Sequence, residues 1–356
     1  MNKLPKVIHL NLRVDPTQYI PQIREVPGYD YIHLVRQPKY MINLPLLNDK
    51  VHYLSEIFSP QEYVEKNKVS LIHAHHAQLG LLLLPFKEET SLPLVTSIRG
   101  RDATLANQPV GYLDGMKMLF EQGERFLPVC QHLAQRINLW GCPADKIRVL
   151  YGGVDLDLFP YKGPNLQGSQ NIVSIGRLVE KKGHHILMQA FKKIKSKFPK
   201  ATLTIIGGGE LEGYIKSLAT QLNLGPYFRL LNRVPKSQVP ELMGQADLFC
   251  APSLTASNGD VEGIPNTIKE AMATGIPVLA TTHAGIPEII TNNKDGVLVR
   301  ENDVDHLAQA LEFMLLNRHL WKNYSLHARQ NVEQNFDQNK QLLLQAKYYD
   351  ELLGGS

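Results

Sequence analysis

Short apolar segments with strand character alternate with helical stretches along almost the whole chain, and this alternation constrains the fold more than any other feature. In the first half, strands are predicted at 6–12, 29–35, 70–76, 92–100, 125–130 and 146–153. The series then restarts, with strands predicted at 171–178, 201–209, 228–234, 247–253, 277–282 and 296–299. Alternating strands and helices build a parallel sheet covered by helices on both faces. The sequence therefore predicts an α/β protein with two doubly wound domains.

The boundary between these domains is predicted at 163–168, where GPNLQG has no apolar periodicity. This linker would separate a Rossmann-like domain over 1–162 from a second one over 169–336. A chain of 356 residues is long enough to bury two full cores. Ligands of such sheets bind at the carboxyl ends of the strands, so two facing domains would place a site in the cleft between them.

Composition excludes several classes of protein. Hydrophobic residues make up 43% of the chain and charged residues 20%, which fits neither a disordered nor a fibrous protein. Cys130, Cys142 and Cys250 are too few and too scattered for a disulfide framework or a CxxC metal site. A reducing compartment is therefore expected. The net charge of +4 permits contact with anionic ligands or a membrane surface and does not require nucleic acid.

The N-terminal segment MNKLPKVIHLNL has a basic start but no apolar core that leads to a cleavage site, so it is predicted to be a strand and not a signal peptide. The apolar stretch LGLLLLPF at 79–86 is far shorter than the ~20 residues that cross a bilayer. We therefore expect a cytoplasmic protein, with peripheral contact at the inner membrane leaflet as a further option.

The segment EGIPNTIKEAMATGIPVLAT at 262–281 carries the strongest chemical signal. Glu262 and Glu270 are eight positions apart, and a helix is predicted over 266–273 with Pro265 in its first turn. A helix N-terminus presents free N–H groups that bind anions. Glu270, one turn further, can accept hydrogen bonds from a vicinal diol such as ribose. For two glutamates taken alone, the alternative is a buried helix whose N-terminal carboxylate suits its dipole.

Two other patterns invite a cofactor or a metal. Glycines at 207–209 follow a predicted strand, but the GxGxxG fingerprint fails because Glu212 stands where its third glycine would be. These glycines are predicted to permit close packing at a strand end. Asp155 and Asp157 form a D-x-D, a metal motif of a different fold, and are interpreted as loop and cap carboxylates.

Three histidines, His73, His75 and His76, cluster at a predicted strand end. No carboxylate or cysteine stands beside them at a ligand spacing, so we interpret them as cleft-lining or structural residues and not as metal ligands. Neither a metal nor a cofactor is therefore expected.

The order of motifs resembles the retaining glycosyltransferases of family 4, which have the GT-B fold. EGIPNTIKE fits the E-x7-E pattern of that family, and SIGRLVEKKGHHILMQAF at 174–191 fits its strand–GR–x4–K–G–helix segment. Further similar segments follow in the same order at 71–80, 100–103, 146–159, 203–215, 234–253, 285–290 and 295–299. PTQYIPQI at 16–23 is similar to a subgroup associated with bacterial surface polysaccharide assembly.

The resemblance implies that the C-terminal domain binds a nucleotide-sugar donor. Arg177 and Lys182 would hold the diphosphate, Glu262 would contact hydroxyls of the donor sugar, and Glu270 would bind the ribose. The remaining donor-site residues would be Arg233 and Val234, beside the base, and Gly263, Ile264, Pro265, Asn266 and Thr267. The residues with an implied catalytic role are Glu262, Arg177, Lys182 and Arg99.

The N-terminal domain would bind the acceptor, with His75, His76, Arg99 and Asp102 on the acceptor side. Many family members have His–Gly–x–Asp where this chain has RGRD at 99–102. Arg99 stays protonated and cannot act as a general base. It can still donate hydrogen bonds to a sugar hydroxyl or to the leaving phosphate.

The implied function is transfer of a sugar from a nucleoside-diphosphate sugar to a hydroxyl of a saccharide or lipid-linked saccharide, in polysaccharide or glycoconjugate biosynthesis. The front-side mechanism attributed to the family retains the anomeric configuration and lets the leaving phosphate accept the acceptor's proton. The last helical stretch, over 337–356, would cross back onto the first domain.

Two alternatives remain open. One is another GT-B enzyme, either a sugar-nucleotide epimerase or a phosphorylase, although neither the residue pattern of the former nor the pyridoxal phosphate lysine of the latter is apparent. The other is a non-catalytic sugar-nucleotide-binding subunit, which Arg99 makes conceivable.

Overall fold

A computed structural model of the protein describes residues 4–11, 20–36, 50–104, 108–166 and 170–354. The chain divides into two compact units. Unit 1 comprises Met1–Gly153 together with Asn339–Ser356, and unit 2 comprises Val154–Gln338. The first half of PTQYIPQI, residues 16–19, lies outside the described residues.

Unit 1 contains a six-stranded parallel sheet. Its strands are β1 (Lys6–Asn11), β2 (Asp30–Val35), β3 (Val51–Tyr53), β4 (Val69–Ala74), β5 (Leu94–Ile98) and β6 (Arg125–Pro128). They lie in the order β3-β2-β1-β4-β5-β6. The accompanying helices are α1 (Ile20–Arg24), α2 (Pro60–Asn67), α3 (Ala77–Leu82), α4 (Leu84–Thr90), α5 (Tyr112–Gln122) and α6 (Gln131–Leu139).

Unit 2 contains a second six-stranded parallel sheet. Its strands are β7 (Asn171–Ile175), β8 (Thr202–Ile206), β9 (Phe228–Leu231), β10 (Leu248–Ala251), β11 (Val278–Thr281) and β12 (Val297–Val299). They lie in the order β12-β11-β10-β7-β8-β9. The helices are α7 (His184–Ile194), α8 (Glu212–Gln221), α9 (Val239–Gly244), α10 (Asn266–Thr274), α11 (Val304–Leu316) and α12 (Trp321–Asn335). The predicted α/β class with two doubly wound parallel sheets is confirmed.

The last helix, α13 (Gln338–Leu353), packs on the sheet of unit 1. Leu342 and Tyr349 of this helix are buried in one hydrophobic cluster with Val7 of β1 and Leu71 of β4. Burial of such side chains contributes about 1.5–3 kcal/mol each relative to full exposure, so α13 is a structural part of unit 1.

Helix α7 positions part of the site described below. It begins after Gly183, whose φ is +65°, and an added Cβ there would lie 1.9 Å from the carbonyl oxygen of Pro252. Its apolar residues recur at helical spacing, and Leu187 and Phe191 are fully buried in the core of unit 2. A side chain larger than hydrogen at position 183 would therefore separate the start of α7 from the loop after β10.

The boundary between the units lies before Val154, earlier than the predicted linker at 163–168. Val154 N–H donates to the carbonyl of Phe336 at 2.8 Å, and Lys162 N–H donates to that of Thr274 at 2.9 Å. These bonds hold residues 154–162 in unit 2. Gly163, the first residue of the predicted linker, also donates its N–H to the carbonyl of Thr274, at 3.3 Å, and so lies within the same unit. The end of the predicted linker, from 167 onward, lies outside the described residues.

The strand predicted at 146–153 is not formed. Arg148 and Leu150 donate backbone hydrogen bonds to the carbonyls of Phe126 and Pro128, so the segment follows β6 without building a ladder. Conversely, β3 was not predicted, since its three residues are too few to show a period in the sequence. No helix in the described part of the chain has the length and apolar character needed to cross a membrane.

Candidate functional site

The loop that joins β10 to α10, residues 252–265, carries the first glutamate of the E-x7-E pair, and we name it the acidic loop. The Glu262 side chain is 12% exposed, and its Oε1 lies 3.1 Å from Nζ of Lys182 and 3.8 Å from Nζ of Lys181. The structure thus brings together two predicted donor-site residues, Glu262 and Lys182. It adds Lys181, which the sequence analysis did not single out.

Lys181 holds the acidic loop in place. Its side chain is 7% exposed, and its Nζ lies 3.0 Å from Oδ2 of Asp260. The same ammonium donates to the carbonyl of Val261 at 3.0 Å, while the Lys181 carbonyl accepts from Leu254 N–H at 2.9 Å. A buried ammonium is stable only when its donors are paired, so these contacts act together to fix the loop.

The charges around Glu262 keep its carboxyl ionised. Burial by itself would raise the pKa of Glu262. Lys182, Lys181 and, to a smaller extent, Arg177 outweigh burial and hold its pKa below the usual range. Arg177 is exposed, and no residue in the described ranges forms an ion pair with it. Its guanidinium is therefore available to an anionic ligand.

Glycines bring the loop after β8 against the loop that carries Arg177. A Cβ on Gly207 would lie 1.9 Å from the carbonyl oxygen of Gly176, and one on Gly209 would lie 2.6 Å from that of Leu178. The prediction that these glycines permit close packing at a strand end is confirmed. Arg233, exposed in the loop after β9, lies beside the same turn, because a Cβ on Gly208 would be 3.8 Å from that of Arg233.

The N-terminus of α10 follows the acidic loop directly. Asn266 is exposed and Thr267 half-buried, and no described backbone or side-chain oxygen accepts their N–H groups. The helix begins at Asn266, as predicted, and Pro265, with ψ of 126°, is its N-cap and so stands just before the first turn and not within it. The neighbouring Gly263 and Ile264 are buried, which sets the backbone that leads into the helix.

The second glutamate, Glu270, lies in α10 and is 3% exposed. Its Oε1 forms an ion pair with Nζ of Lys236, which also lies 5.3 Å from the centroid of the Phe159 ring. Glu270 therefore belongs to a partly buried pair, and its Oε2 is the oxygen left for another donor. Val234, predicted to lie beside a base, is half-buried two residues before Lys236.

His283 and Glu301 complete the surroundings of the acidic loop. The N–H of Glu262 donates to Nε2 of His283 at 3.1 Å, and Nδ1 of His283 pairs with Oε2 of Glu301. The sequence did not point to either residue. His283 and Glu301 each lie about twenty positions from the residue that they bond, and neither belongs to a recognisable motif. The sequence contains a weak indication of Lys181 and Lys236. Lys181 precedes the predicted donor-site residue Lys182, and Lys236 closely follows Arg233 and Val234.

The predicted acceptor-side residues lie together in unit 1. The guanidinium of Arg99 donates from Nε to the carbonyl of His75 at 3.2 Å and from Nη2 to Oε1 of Gln22 at 2.7 Å. Oδ2 of Asp102 accepts from Arg99 N–H at 2.7 Å and lies 3.3 Å from Nδ1 of His76. Arg99 is thus held in place by main-chain and side-chain contacts.

Behind Arg99, four histidines form a buried row that we name the histidine layer: His9, His33, His73 and His75. All are at most 1% exposed. His9 pairs in register with His33 on β2 and with His73 on β4. The ring of His75 stacks on that of His73 with centroids 4.2 Å apart. The layer is therefore part of the interior of unit 1.

Burial lowers the pKa of all four histidines, that of His33 to about 4 and that of His73 to about 3. The layer is accordingly neutral near pH 7. Ligand atoms of three of its members lie within 4.8 Å of one another. However, both nitrogens of His73 are bonded, to Tyr349 Oη at 2.6 Å and to Ser97 Oγ at 2.8 Å. This bonding favours a structural role.

The D-x-D motif also has a structural explanation. Oδ1 of Asp155 accepts from the N–H groups of Asp157 at 3.0 Å and of Leu158 at 2.9 Å. Such bonds are typical of a carboxylate that closes a turn. The interpretation of Asp155 as a loop and cap carboxylate is confirmed.

Two family models match the chain. Glycosyltransferase Family 4 matches residues 13–158, and Glycosyl transferases group 1 matches residues 161–333. The chain is 34% identical over 276 residues to a protein of Salmonella typhimurium that carries the name colanic acid biosynthesis glycosyltransferase WcaL, covering 76% of this chain and 68% of that protein. It is also 34% identical to the amylovoran biosynthesis glycosyltransferase AmsK of Erwinia amylovora, covering 69% and 60%.

Solved structures share the fold. HepE of Anabaena, in complex with UDP-glucose, matches with a TM-score of 0.80 and 18% identity over 98% of this chain and 100% of that chain. Sucrose-phosphate synthase of Thermosynechococcus elongatus matches with a TM-score of 0.81 and 18% identity over 99% and 100%. At this level of identity the likeness is one of fold alone.

Proposed function

Because this chain belongs to the glycosyltransferases of family 4 and group 1, we propose that it transfers a sugar from a nucleoside-diphosphate sugar to a hydroxyl of a saccharide or lipid-linked saccharide during polysaccharide biosynthesis. The family and the GT-B fold expected from the sequence are confirmed by these matches. Relatives named for colanic acid and amylovoran biosynthesis support a surface polysaccharide as the product.

The observation that carries the proposal is the pairing of Glu262 with Lys182, next to an Arg177 that has no ion-pair partner within the described ranges. Beside the Glu262–Lys182 pair, Arg177 carries a positive charge that no carboxylate of the described residues neutralises through an ion pair. The free N–H groups at the start of α10 add partial positive charge. This positive charge suits a diphosphate, while the ionised Glu262 suits sugar hydroxyls, which are hydrogen-bond donors.

The nucleoside half of the donor would bind at Glu270. Its Oε1 remains on Lys236, and its Oε2 accepts a hydrogen bond from the ribose diol. The ion pair with Lys236 orients the buried carboxylate before the donor arrives. Arg233 and Val234 would lie beside the base, in the loop after β9 that adjoins the glycines at 207–209.

Transfer would proceed on the face of the sugar from which the diphosphate leaves, with retention of configuration. As the anomeric C–O bond breaks, its electron pair moves to the phosphate oxygen. Lys182, Arg177 and the α10 N–H groups stabilise that charge, so no metal is required. The acceptor hydroxyl gives its proton to the leaving phosphate while its oxygen forms the new glycosidic bond. Arg99 stays protonated and contributes only hydrogen bonds.

The acceptor would bind at unit 1 beside His76 and Arg99, which are half-buried, with the buried His75 and Asp102 behind them as supports. A lipid-linked acceptor would bring the protein into peripheral contact with the cytoplasmic face of the membrane. The mild net charge of +4 is compatible with that contact, and neither nucleic acid nor a cofactor enters the proposal.

A thermal-shift screen of nucleoside diphosphates and their sugars tests the proposal. A ligand at 100 times its Kd stabilises the folded state by ~2.7 kcal/mol, which is readily measured. The selected donor is then incubated with saccharide acceptors, and the products are analysed by mass spectrometry. Release of nucleoside diphosphate with a heavier acceptor supports transfer. An epimerase would leave the donor mass unchanged, and a binding subunit would leave the donor intact.

A further inference from the structure

The main chain of Glu262 is held by a histidine outside the E-x7-E motif. Nε2 of His283 accepts the Glu262 N–H at 3.1 Å, and the His283 side chain is 2% exposed. Because Nε2 is an acceptor, the ring proton lies on Nδ1, which donates to Oε2 of Glu301. Glu301 thus selects the tautomer that Glu262 requires, as carboxylates do for histidines in many sites.

Glu301 also holds the other end of the acidic loop. Its Oε2 accepts from Thr255 N–H at 3.0 Å, and its Oε1 accepts from the Thr255 hydroxyl at 3.1 Å. His283 follows β11 and Glu301 follows β12, two strands paired in register within one sheet. The sheet therefore supplies a rigid support from which both ends of the loop are held.

The charged groups that face His283 are Glu301, Glu262 and Lys181. Burial lowers the pKa of His283, while the two carboxylates oppose that effect, and the net pKa lies below its usual value. A neutral ring is the form that can accept from Glu262. A protonated ring would turn Nε2 into a donor against the Glu262 N–H, which breaks the contact.

We infer that His283 and Glu301 are positioning residues that fix the backbone of Glu262 where its carboxylate meets the donor sugar. The inference rests on the proposed function, since it assumes that Glu262 contacts the sugar. Loss of the support should therefore weaken recognition of the sugar portion of the donor and leave the diphosphate and nucleoside contacts of Lys182, Arg177 and Glu270 intact.

The test compares two dissociation constants by calorimetry on the full chain, one for a nucleoside diphosphate and one for its sugar form. UDP with UDP-glucose and GDP with GDP-mannose are the probe pairs, and the pair that binds is used. Glu262→Gln should shift the ratio of the two constants by about tenfold, and His283→Leu by about fivefold, the equilibrium effect of one or two hydrogen bonds. In His283→Leu, which leaves the charge of Glu262 in place, the Kd of the nucleoside diphosphate should change less than twofold.

Two further variants separate positioning from general damage. His283→Gln keeps an acceptor for the Glu262 N–H and should restore the ratio to within about twofold of the wild type. In a Glu262→Gln background, His283→Leu should produce no further shift, because both changes act on the same contact. His327→Leu, at a half-exposed histidine of α12 that bonds to the Lys294 carbonyl, is the matched control and should leave the ratio unchanged.

The pH dependence gives a second readout if His283→Leu does not fold. As the pH falls through the pKa of His283, the wild-type ratio should shift toward that of Glu262→Gln, whereas that of His283→Gln should not. Equal pH profiles in these two proteins would overturn the inference. So would a wild-type ratio in folded His283→Leu, or an equal loss for both ligands. A wild-type ratio in Glu262→Gln, or failure of every probe to bind, would overturn the proposed function and this inference with it.

Discussion

The acidic loop of unit 2 and the histidine layer of unit 1 bury ionisable side chains in opposite ways. In the acidic loop, Glu262 stays charged because Lys182 and Lys181 offset its burial. In the histidine layer, His33 and His73 stay neutral because burial opposes their protonation, with pKa values lowered to about 4 and about 3. The difference indicates that the first region is built to bind charge and the second to remain a neutral interior.

Acid should produce the largest effect, and it should act through the histidine layer. A histidine in the unfolded chain has a pKa near 6.5, whereas burial in the folded state lowers the pKa of His33 to about 4 and that of His73 to about 3. Their contribution to stability is therefore complete above about pH 6.5 and falls by about 1.4 kcal/mol per pH unit for each histidine, down to its folded pKa. Urea unfolding from pH 8 to pH 4, followed by circular dichroism, measures this slope.

His33→Leu sharpens that prediction, because neither ring nitrogen of His33 has a hydrogen-bond partner among the described residues. The variant should lose one histidine's share of the slope and should not be destabilised at pH 8. An unchanged slope would show that the layer does not govern acid stability. A stability that rises toward pH 4 would contradict the neutral state altogether.

In the acidic loop region, replacement of Arg177 should reduce the rate strongly without loss of stability. The leaving phosphate gains charge only as the glycosidic bond breaks, so Arg177→Ala should lower kcat by about 10²–10³ and not merely raise KM. Arg177→Lys should recover part of this loss, since its single ammonium lacks the fork geometry. Because Arg177 is exposed, unfolding free energy should change by less than about 0.5 kcal/mol. A near wild-type kcat in Arg177→Ala would move the donor site elsewhere.

Glu270→Ala should have a smaller effect, one on binding. Loss of the ribose contact should weaken the nucleoside diphosphate and its sugar form alike, by about 1.5–3 kcal/mol, the usual value for hydrogen bonds to a charged group. Calorimetry on the folded variant measures both ligands. Lys236→Met is the companion variant, since it removes the cation from Glu270 and leaves the carboxylate. If Glu270→Ala bound the nucleoside diphosphate as tightly as the wild type does, Glu270 would not contact the ribose.

Removal of metal should have the smallest effect. In the proposed mechanism, Arg177, Lys182 and the start of α10 supply the positive charge that stabilises the leaving group, so EDTA should leave turnover unchanged. Steady-state transfer after dialysis against EDTA is the measurement. Loss of activity that magnesium or manganese restores would show that charge in this region comes from a bound cation.

The architecture could be predicted from the sequence because it follows from local periodicity. Alternating strands and helices, the glycines at 207 and 209 and the E-x7-E helix all leave short-range signals. The prediction of a strand at 146–153 was wrong. This segment runs beside β6 and donates separate backbone hydrogen bonds to it, but the two do not form a continuous ladder. Periodicity reports which residues are apolar and not how the backbone pairs.

The support of the site could not be predicted, because its contacts join distant segments. Glu301 reaches His283 and Thr255 only after β11 and β12 have paired, and Lys236 reaches Glu270 only through the packed loop after β9. The histidine layer was equally hidden. Three of its members lie on three different strands and His75 directly follows β4, so the cluster at 73–76 alone gave no sign that His9 and His33 would join it.

We expect the diphosphate of a nucleotide sugar to bind between Lys182, Arg177 and the start of α10, with its sugar on Glu262. A crystal structure of the protein with the donor selected by the thermal-shift screen tests it most directly. Phosphate oxygens should lie within about 3 Å of Lys182 Nζ and of the N–H groups of Asn266 or Thr267, and a sugar hydroxyl should lie at the same distance from a Glu262 carboxylate oxygen. A donor bound with its diphosphate away from these groups, or with no hydroxyl on Glu262, would rule out this binding mode.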